Sequence, residues 1–95
     1  MNVLYTGTFE NWLKKLRDQR AKVAMASRIE RMEDGNSGDH RSVGGGVSEL
    51  RINVAKGYRA YYTIRRKTEV ILLCGGDKAS QQQDIKLAQQ LASKL

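Results

Sequence analysis

The first third of the chain carries two stripes of apolar residues at helical spacing. The first stripe consists of Phe9, Trp12, Leu13 and Leu16, and the second of Ala21, Met25, Ile29 and Met32. Intervals of three and four residues put each set on one face of a helix, and Asp18 interrupts the pattern between them. We therefore predict two helices, with Thr8 as the first N-cap and Gly35 ending the second. The pair is expected to form a hairpin that packs on a sheet with Trp12 in the core.

Residues 35–46 show no regular pattern of apolar and polar positions. Five of these twelve residues are glycine, which favours a loop with unusual backbone angles. The triple glycine at 44–46 lacks the Lys and Ser or Thr that follow in a phosphate-binding P-loop. We interpret the segment as a flexible connection into the sheet, with His40, the single histidine, as a surface residue.

The period changes to two in the middle of the chain, which indicates strands. Alternating runs at 49–54 and 58–64 are separated by three residues that include Gly57. Short loops of this kind join the two strands of a β-hairpin. A three-residue loop would place Val54 opposite Tyr58.

The remaining elements complete a single α+β domain over residues 1–95. The run at 70–74 is apolar on both faces and predicts a central strand, and residues 2–5 predict a short one. Ser80 with Gln83 fits the capping box of a last helix. The apolar face of that helix consists of Ile85, Ala88, Leu91, Ala92 and Leu95. The predicted order is β-α-α-β-β-β-α, a helical hairpin and a C-terminal helix on a mostly antiparallel sheet.

Composition narrows the class of protein. Hydrophobic residues make up 40% of the 95 residues, and no apolar run approaches the roughly 20 residues of a membrane span. We see no pattern of a secretory signal at the N-terminus. The single cysteine, Cys74, excludes an intrachain disulfide and a cysteine-based zinc motif. We therefore expect a cytoplasmic protein without membrane contact.

The charge of the chain is high and unevenly distributed. The net charge is +7, and residues 41–67 hold seven basic residues against one acid, Glu49. Such a surplus indicates an anionic partner, which would be nucleic acid, an acidic protein or a membrane surface. The acids elsewhere are scattered without the spacing of metal ligands, and no Ser-His-Asp set is present. We expect no metal and no cofactor.

Strand alternation predicts where the cations of the hairpin lie. The three-residue loop would put Arg51, Asn53, Arg59 and Tyr61 together on the face opposite the core. Guanidinium groups bind phosphates in a bidentate manner, and tyrosine stacks on bases. Lys78, just after the central strand, is placed to complete a cationic pocket beside them. A solvated sheet face with arginine stems over apolar neighbours is the alternative interpretation.

Three segments carry a resemblance to a known family. These are residues 35–52, the strand motif at 57–62, and the motif at 73–78 with its continuation at 83–85. They resemble the addiction-module killer proteins, a HigB-like, phage Gp49-like branch of the RelE/ParE toxin superfamily. The resemblance covers essentially the whole chain, and the element order agrees with it.

The resemblance implies a metal-independent endonuclease that cuts mRNA in the ribosomal A site. In that reaction the ribose 2′-hydroxyl attacks its own phosphate and leaves a 2′,3′-cyclic phosphate. Arg59 and Arg51 match positions that clamp the transition state, and Lys78 matches a phosphate contact or proton donor. The C-terminal tyrosine or histidine of several RelE-like nucleases is missing here. Asp84 is therefore our candidate base, and Tyr61 our candidate for stacking.

The same resemblance implies the partners. Besides the ribosome and mRNA, a helix-turn-helix antitoxin is expected to cover the basic face, and operator DNA is bound only through it. The expected RNA contacts are Arg41, Asn53, Lys56 and Tyr61. Two alternatives remain: a ParE-like toxin that binds DNA gyrase and cuts nothing, and a non-toxic basic module that binds nucleic acid.

Overall fold

Five strands form one mixed sheet in the computed structural model, which describes all residues from Met1 to Leu95. The strands are β1 (Asn2–Tyr5), β2 (His40–Gly44), β3 (Val47–Ile52), β4 (Tyr58–Arg65) and β5 (Glu69–Gly76). The helices are α1 (Gly7–Lys15), α2 (Gln19–Glu33) and α3 (Gln81–Ser93), and a 3₁₀ turn (Lys78–Ser80) precedes α3. The predicted α+β class is confirmed.

The order of strands across the sheet is β1-β5-β4-β3-β2. The first strand runs parallel to β5, and all other neighbours are antiparallel. The predicted short strand at 2–5 is confirmed. The inner position of the apolar run at 70–74 is also confirmed, because β5 has a neighbouring strand on each side and all five residues of that run are buried. None of the three helices combines the length and the apolarity needed to cross a bilayer.

The fifth strand, β2, lies inside the segment predicted to be a loop. It pairs with β3 from His40 opposite Leu50 to Ser42 opposite Ser48, and Gly44, Gly45 and Gly46 make the turn with φ of 90°, 65° and 76°. The observed order is therefore β-α-α-β-β-β-β-α, and the loop interpretation of 40–44 was wrong. An exposed edge strand needs only backbone pairing, so it leaves no alternation of apolar residues in the sequence.

The hairpin of β3 and β4 has a different register from the predicted one. Ile52 pairs with Tyr58 and Arg51 with Arg59, which leaves residues 53–57 as the loop. Val54 lies outside the strand and packs against the core instead. A shift of two residues keeps the side chains that remain in β3 and β4 on their predicted faces, because the side-chain period of a strand is two.

Two of the predicted helix caps are replaced by neighbouring residues. Thr6, not Thr8, caps α1: its Oγ1 accepts from the Phe9 N–H at 3.1 Å and lies 2.8 Å from the Leu73 carbonyl oxygen. Ser80 precedes α3 but makes no capping bond to that helix. Asp77 instead accepts from the backbone of the 3₁₀ turn and forms a capping box with Ser80. Thr6 bonds to β5 as well as to α1, and that long-range contact is not visible in a local pattern.

Both faces of the sheet are covered. The first cluster lies under α1 and α2 and includes Phe9, Met25, Ile29, Met32, Leu50, Ile52, Ala60, Tyr62, Val70 and Leu72. The second lies under α3 and consists of Val47, Tyr61, Ile71, Leu73, Cys74 and Ala88. The face expected to present Tyr61 and the arginines to solvent is thus a second core, with the arginines at its margin. The apolar side of α3 is buried against this face of the sheet, as expected for an amphipathic helix.

Candidate functional site

A buried carboxylate is the centre of the cationic cluster on the α3 face. Glu49 has no exposed surface. Its Oε1 accepts from Arg41 Nε at 3.0 Å, and its Oε2 accepts from Gln81 Nε2 at 2.8 Å and from the Tyr61 hydroxyl at 3.2 Å. Arg59 Nε lies 3.5 Å from the same Oε2. One acid on β3 therefore contacts side chains from two neighbouring strands, β2 and β4, and from α3.

The environment of Glu49 keeps this carboxylate charged. Burial alone would raise its pKa, but hydrogen bonds from Gln81 and Arg41 and the charges of Arg41 and Arg59 outweigh burial, so the pKa is lowered. The charge in turn acts on Tyr61, whose pKa is raised by burial and by Glu49. The phenol accordingly stays a donor, and the cluster has one fixed negative charge under two guanidinium groups.

Arg59 is held in place by its own loop. Its side chain is only 12% exposed, and Nη1 donates to the Gly57 carbonyl at 2.6 Å. Lys78 also lies close to Gly57. A Cβ added to Gly57 would be 3.3 Å from Arg59 Nη1 and 3.8 Å from Lys78 Cβ. The Lys78 N–H also donates to the Lys56 carbonyl at 3.4 Å. Arg59 and Lys78 therefore both lie beside Gly57.

Arg51 stands directly opposite Arg59 but has a separate acid. Its Nη2 donates to Asp39 Oδ1 at 3.1 Å. Arg28 of α2 secures this end of β3, because its guanidinium donates to the carbonyl oxygens of Arg51 and Asp39 at 2.7 and 3.0 Å. Repulsion between the paired arginines is thus offset by one carboxylate each, and sequence analysis recognised only Glu49 as a nearby acid.

Asp84 lies on the same face, one strand away from Arg59. Gly76 is the cross-strand partner of Arg59, and a Cβ on Gly76 would be 1.8 Å from Asp84 Oδ2. That oxygen accepts from Ser80 Oγ at 2.5 Å. Burial raises the pKa of Asp84, the charge of Asp77 raises it further, and the hydrogen bond from Ser80 opposes both. Such a carboxyl is better matched to proton transfer near neutral pH than an ordinary aspartate.

An open groove begins at Asp84 and runs to the C-terminal end of α1, and we call it the α1 groove. Its volume is about 490 Å³. It is lined by Trp12, Lys15, Leu16, Arg17, Asp18, Lys56, Tyr58, Gly75, Gly76, Asp77, Ser80 and Asp84. Trp12 is only partly buried and packs directly on Gly75, where a Cβ would lie 2.4 Å from the indole ring. Trp12 is therefore both a core residue, as expected, and part of a surface groove.

The residues predicted to contact RNA differ in their exposure and position in the structure. Lys56 is exposed in the hairpin loop, and Arg41 is exposed on β2 while paired with Glu49. Asn53 is exposed but belongs to the loop and not to the sheet face. Tyr61 has no exposed surface, so its ring offers no face to a base and the stacking assignment is corrected. Its neighbours under α3 account for the burial.

Sequence analysis missed several residues of this region. Gln81 was not singled out, and Glu49 was considered only as a lone acid among cations. Glu49 lies on the same strand face as Arg51, which alternation assigned to the side opposite the core, so the local pattern gave no signal that this acid is buried. Nothing in the local pattern connects Lys15 and Arg17 to residues about 60 positions later. His40 is exposed, as expected, and its Nδ1 lies 2.8 Å from the Gly38 carbonyl oxygen.

Comparison with known proteins agrees with the segments singled out above. An uncharacterized protein of Haemophilus influenzae is 50% identical to this chain over 90 residues, which cover 95% of this chain and 91% of that protein. No solved structure matches the chain. The family model described as phage derived protein Gp49-like (DUF891) matches residues 11–93. The chain therefore belongs to the Gp49-like phage-derived family, a RelE-like family related to toxin–antitoxin systems.

Proposed function

We propose that this protein is the HigB-like toxin of a type II toxin–antitoxin pair and that it cuts mRNA in the ribosomal A site. The observation that carries the proposal is that Arg59 and Lys78 both lie beside Gly57, with Asp84 one strand away from Arg59 on the same face. When a ribose hydroxyl attacks a phosphodiester, the reaction requires cations to stabilise the phosphate charge and a base to accept the hydroxyl proton. Two cations and a carboxyl of raised pKa meet these requirements.

The reaction is assigned to these groups as follows. Arg59 and Lys78 bind the non-bridging oxygens of the phosphate and stabilise the charge that develops on them. Asp84 accepts the proton of the 2′-hydroxyl as its oxygen bonds to phosphorus. The bond from phosphorus to the 5′-oxygen breaks, and that oxygen takes a proton from Lys78. The products are a 2′,3′-cyclic phosphate and a 5′-hydroxyl. Arg51 is assigned to a neighbouring phosphate of the strand.

Glu49 supports this assignment as a positioning residue. Glu49 Oε2 forms an ion pair with Arg59 at 3.5 Å from Nε, without a hydrogen bond, and the Gly57 carbonyl accepts a hydrogen bond from Nη1. A side chain held at two points loses little further freedom when a phosphate binds, so less binding free energy is spent on ordering it. Arg59 is therefore a preorganised group and not a mobile surface arginine.

The partners follow from the family and from the charge. Membership of a toxin–antitoxin-related family supports a cognate antitoxin, for which we propose a helix-turn-helix protein whose acidic or apolar segments cover the basic face. Operator DNA is then contacted through the antitoxin. Ribosome and mRNA are the proposed targets in the cytoplasm, and the net charge of +7 favours approach to ribosomal RNA.

The test is expression from a tightly controlled promoter with transcript ends mapped by primer extension. Wild type, Arg59→Ala, Arg59→Lys and Lys78→Ala are compared with Arg20→Ala, an exposed arginine at the start of α2 that serves as a matched control. We expect growth arrest and translation-dependent cuts from wild type and Arg20→Ala, and loss of both with Lys78→Ala and Arg59→Ala. Lys78 is exposed, so loss of cutting by Lys78→Ala is not explained by unfolding.

Other outcomes refute the proposal. Growth arrest with intact transcripts and blocked replication would identify a gyrase-binding toxin. Absence of toxicity from a well-expressed soluble chain, together with salt-dependent binding to nucleic acid, would identify a non-toxic binding module. Cutting that survives in both Arg59→Ala and Lys78→Ala would place the chemistry elsewhere.

A further inference from the structure

We propose that the α1 groove binds the nucleotide on the 5′ side of the cut, as part of a single-stranded RNA. The inference rests on the proposed function and adds a substrate subsite built from Trp12, Lys15, Arg17 and Lys56. These residues come from α1, the segment after it and the β3–β4 loop. Only Lys56 among them was expected to contact RNA.

The cations of the groove have no acid partner. Lys15, Arg17 and Lys56 are exposed, and none lies within ion-pair distance of a carboxylate. Arg51 and Arg59 differ in this respect, since each is already paired with an acid. Free cations attract a phosphate backbone without first giving up a protein carboxylate, so the groove is the more favourable entry for an anionic strand.

Two of the three acids in the groove are engaged at helix starts. Asp18 Oδ1 accepts from the Arg20 and Ala21 N–H groups at 3.0 and 3.2 Å. Asp77 Oδ1 accepts from the Ala79 and Ser80 N–H groups at 2.9 and 3.2 Å. Backbone donors and the local dipoles offset these two charges. The remaining acid, Asp84, is the proposed base of the reaction.

The walls of the groove suit a nucleotide better than a bare phosphate. The indole of Trp12 is partly exposed and supplies an apolar surface on which a base can stack. Tyr58 and Lys56 also line the groove. A volume of about 490 Å³ lies within the ordinary range of small-molecule sites. A groove with an aromatic wall, cations and a carboxyl matches the mixed chemistry of base, phosphate and ribose.

The position of Asp84 sets the direction of the strand. It lines the α1 groove and lies against Gly76, the cross-strand partner of Arg59. A nucleotide in the groove would present its 2′-hydroxyl to Asp84 and its 3′-phosphate toward Arg59. The nucleotide that supplies the attacking hydroxyl is therefore the one that the groove holds.

Trp12 provides a direct readout, because it is the single tryptophan of the chain. We would titrate the free protein with a short 2′-O-methyl RNA, which has no attacking hydroxyl, and follow indole fluorescence. Arg17→Ala and Lys56→Ala are compared with Lys94→Ala, an exposed lysine at the far end of α3. We expect quenching in wild type, about tenfold weaker binding for each groove variant, and unchanged binding for Lys94→Ala.

The outcomes separate this inference from the proposed function. If Arg59→Ala abolishes cutting while Arg17→Ala and Lys56→Ala leave RNA affinity and cutting unchanged, the groove inference is overturned and the nuclease proposal stands. Quenching that depends on Arg17 and Lys56 in a protein that cuts no transcript would support the groove and overturn the nuclease. RNA binding without any change in Trp12 fluorescence would also overturn the inference, since the strand would lie elsewhere.

Discussion

The carboxylate of Asp84 occupies the space that a side chain on Gly76 would fill. The distance from Oδ2 to the position of such a Cβ is 1.8 Å, and Ser80 Oγ would be 2.8 Å from it. Gly76 lies in a strand, and its neighbour Gly75 is covered in the same way by Trp12. Two consecutive glycines at the end of β5 thus give the indole and the carboxylate direct access to the backbone, one on each face of the sheet.

Gly76→Ala is therefore expected to displace Asp84 and lower the free energy of unfolding by about 1 to 3 kcal/mol. The added methyl group collides with a carboxylate already held by Ser80, so either the hydrogen bond or the strand must shift. Urea denaturation measures the loss. Gly7→Ala at the start of α1 is the matched control, because nothing lies within 4 Å of its Cβ position. Equal stability of Gly76→Ala and wild type would contradict the observed contact.

Glu49→Gln is expected to lower the free energy of unfolding by about 2 to 3 kcal/mol, because the buried hydrogen bonds to a charged group are lost or weakened. Arg59 is also left without its counter-ion, so cutting should fall even at temperatures where the variant is folded. The comparison is Glu30→Gln, an exposed acid on α2. Equal stability of the two variants would show that the Glu49 cluster contributes little.

The two site carboxylates should affect stability in opposite directions as pH changes. The pKa of Glu49 is lowered in the folded protein, so its stabilising contribution is present above the usual value of 4.5 and is lost as pH falls through the folded pKa. The pKa of Asp84 is raised by burial, so its ionisation destabilises the fold as pH rises from the usual value of 3.8 through the folded pKa.

Asp84→Asn removes the destabilisation that ionisation of the buried Asp84 carboxyl causes. The variant should be more stable than wild type at neutral pH, and the difference should vanish below the usual pKa of aspartate, while cutting is lost. Urea denaturation at several pH values measures this. A variant that is less stable than wild type at neutral pH would show that the hydrogen bond from Ser80 outweighs the cost of burying the charge.

Cys74 should be inert in the folded protein. It is buried, and burial followed by the charge of Asp84 raises its pKa to about 12. The thiolate that reacts with disulfide reagents is then scarce at pH 8. We expect no modification by such a reagent within the time that labels the urea-unfolded chain completely. Fast labelling without denaturant would indicate that the contact between α3 and β5 opens readily.

Local patterns determined the elements whose burial is periodic. The stripe on α2 is buried as predicted, at Ala21, Met25, Ile29 and Met32, because one apolar face of a helix must be covered. The inner strand β5 was visible from five consecutive apolar residues, and the side-chain faces of β3 and β4 from their alternation. The motifs that resemble the toxin family were also sequence features, and the family match covers them.

Tertiary structure decided whatever depends on pairing between distant segments. The edge strand β2 and the register of the hairpin arise from backbone hydrogen bonds, which no side-chain period records. Packing of α3 made Tyr61 a core residue and brought Gln81 to Glu49. The α1 groove joins Lys15 and Arg17 to Lys56 and Asp84. Residues that far apart in the chain meet only after folding, when burial of the apolar faces offsets the entropy of closing the intervening loops.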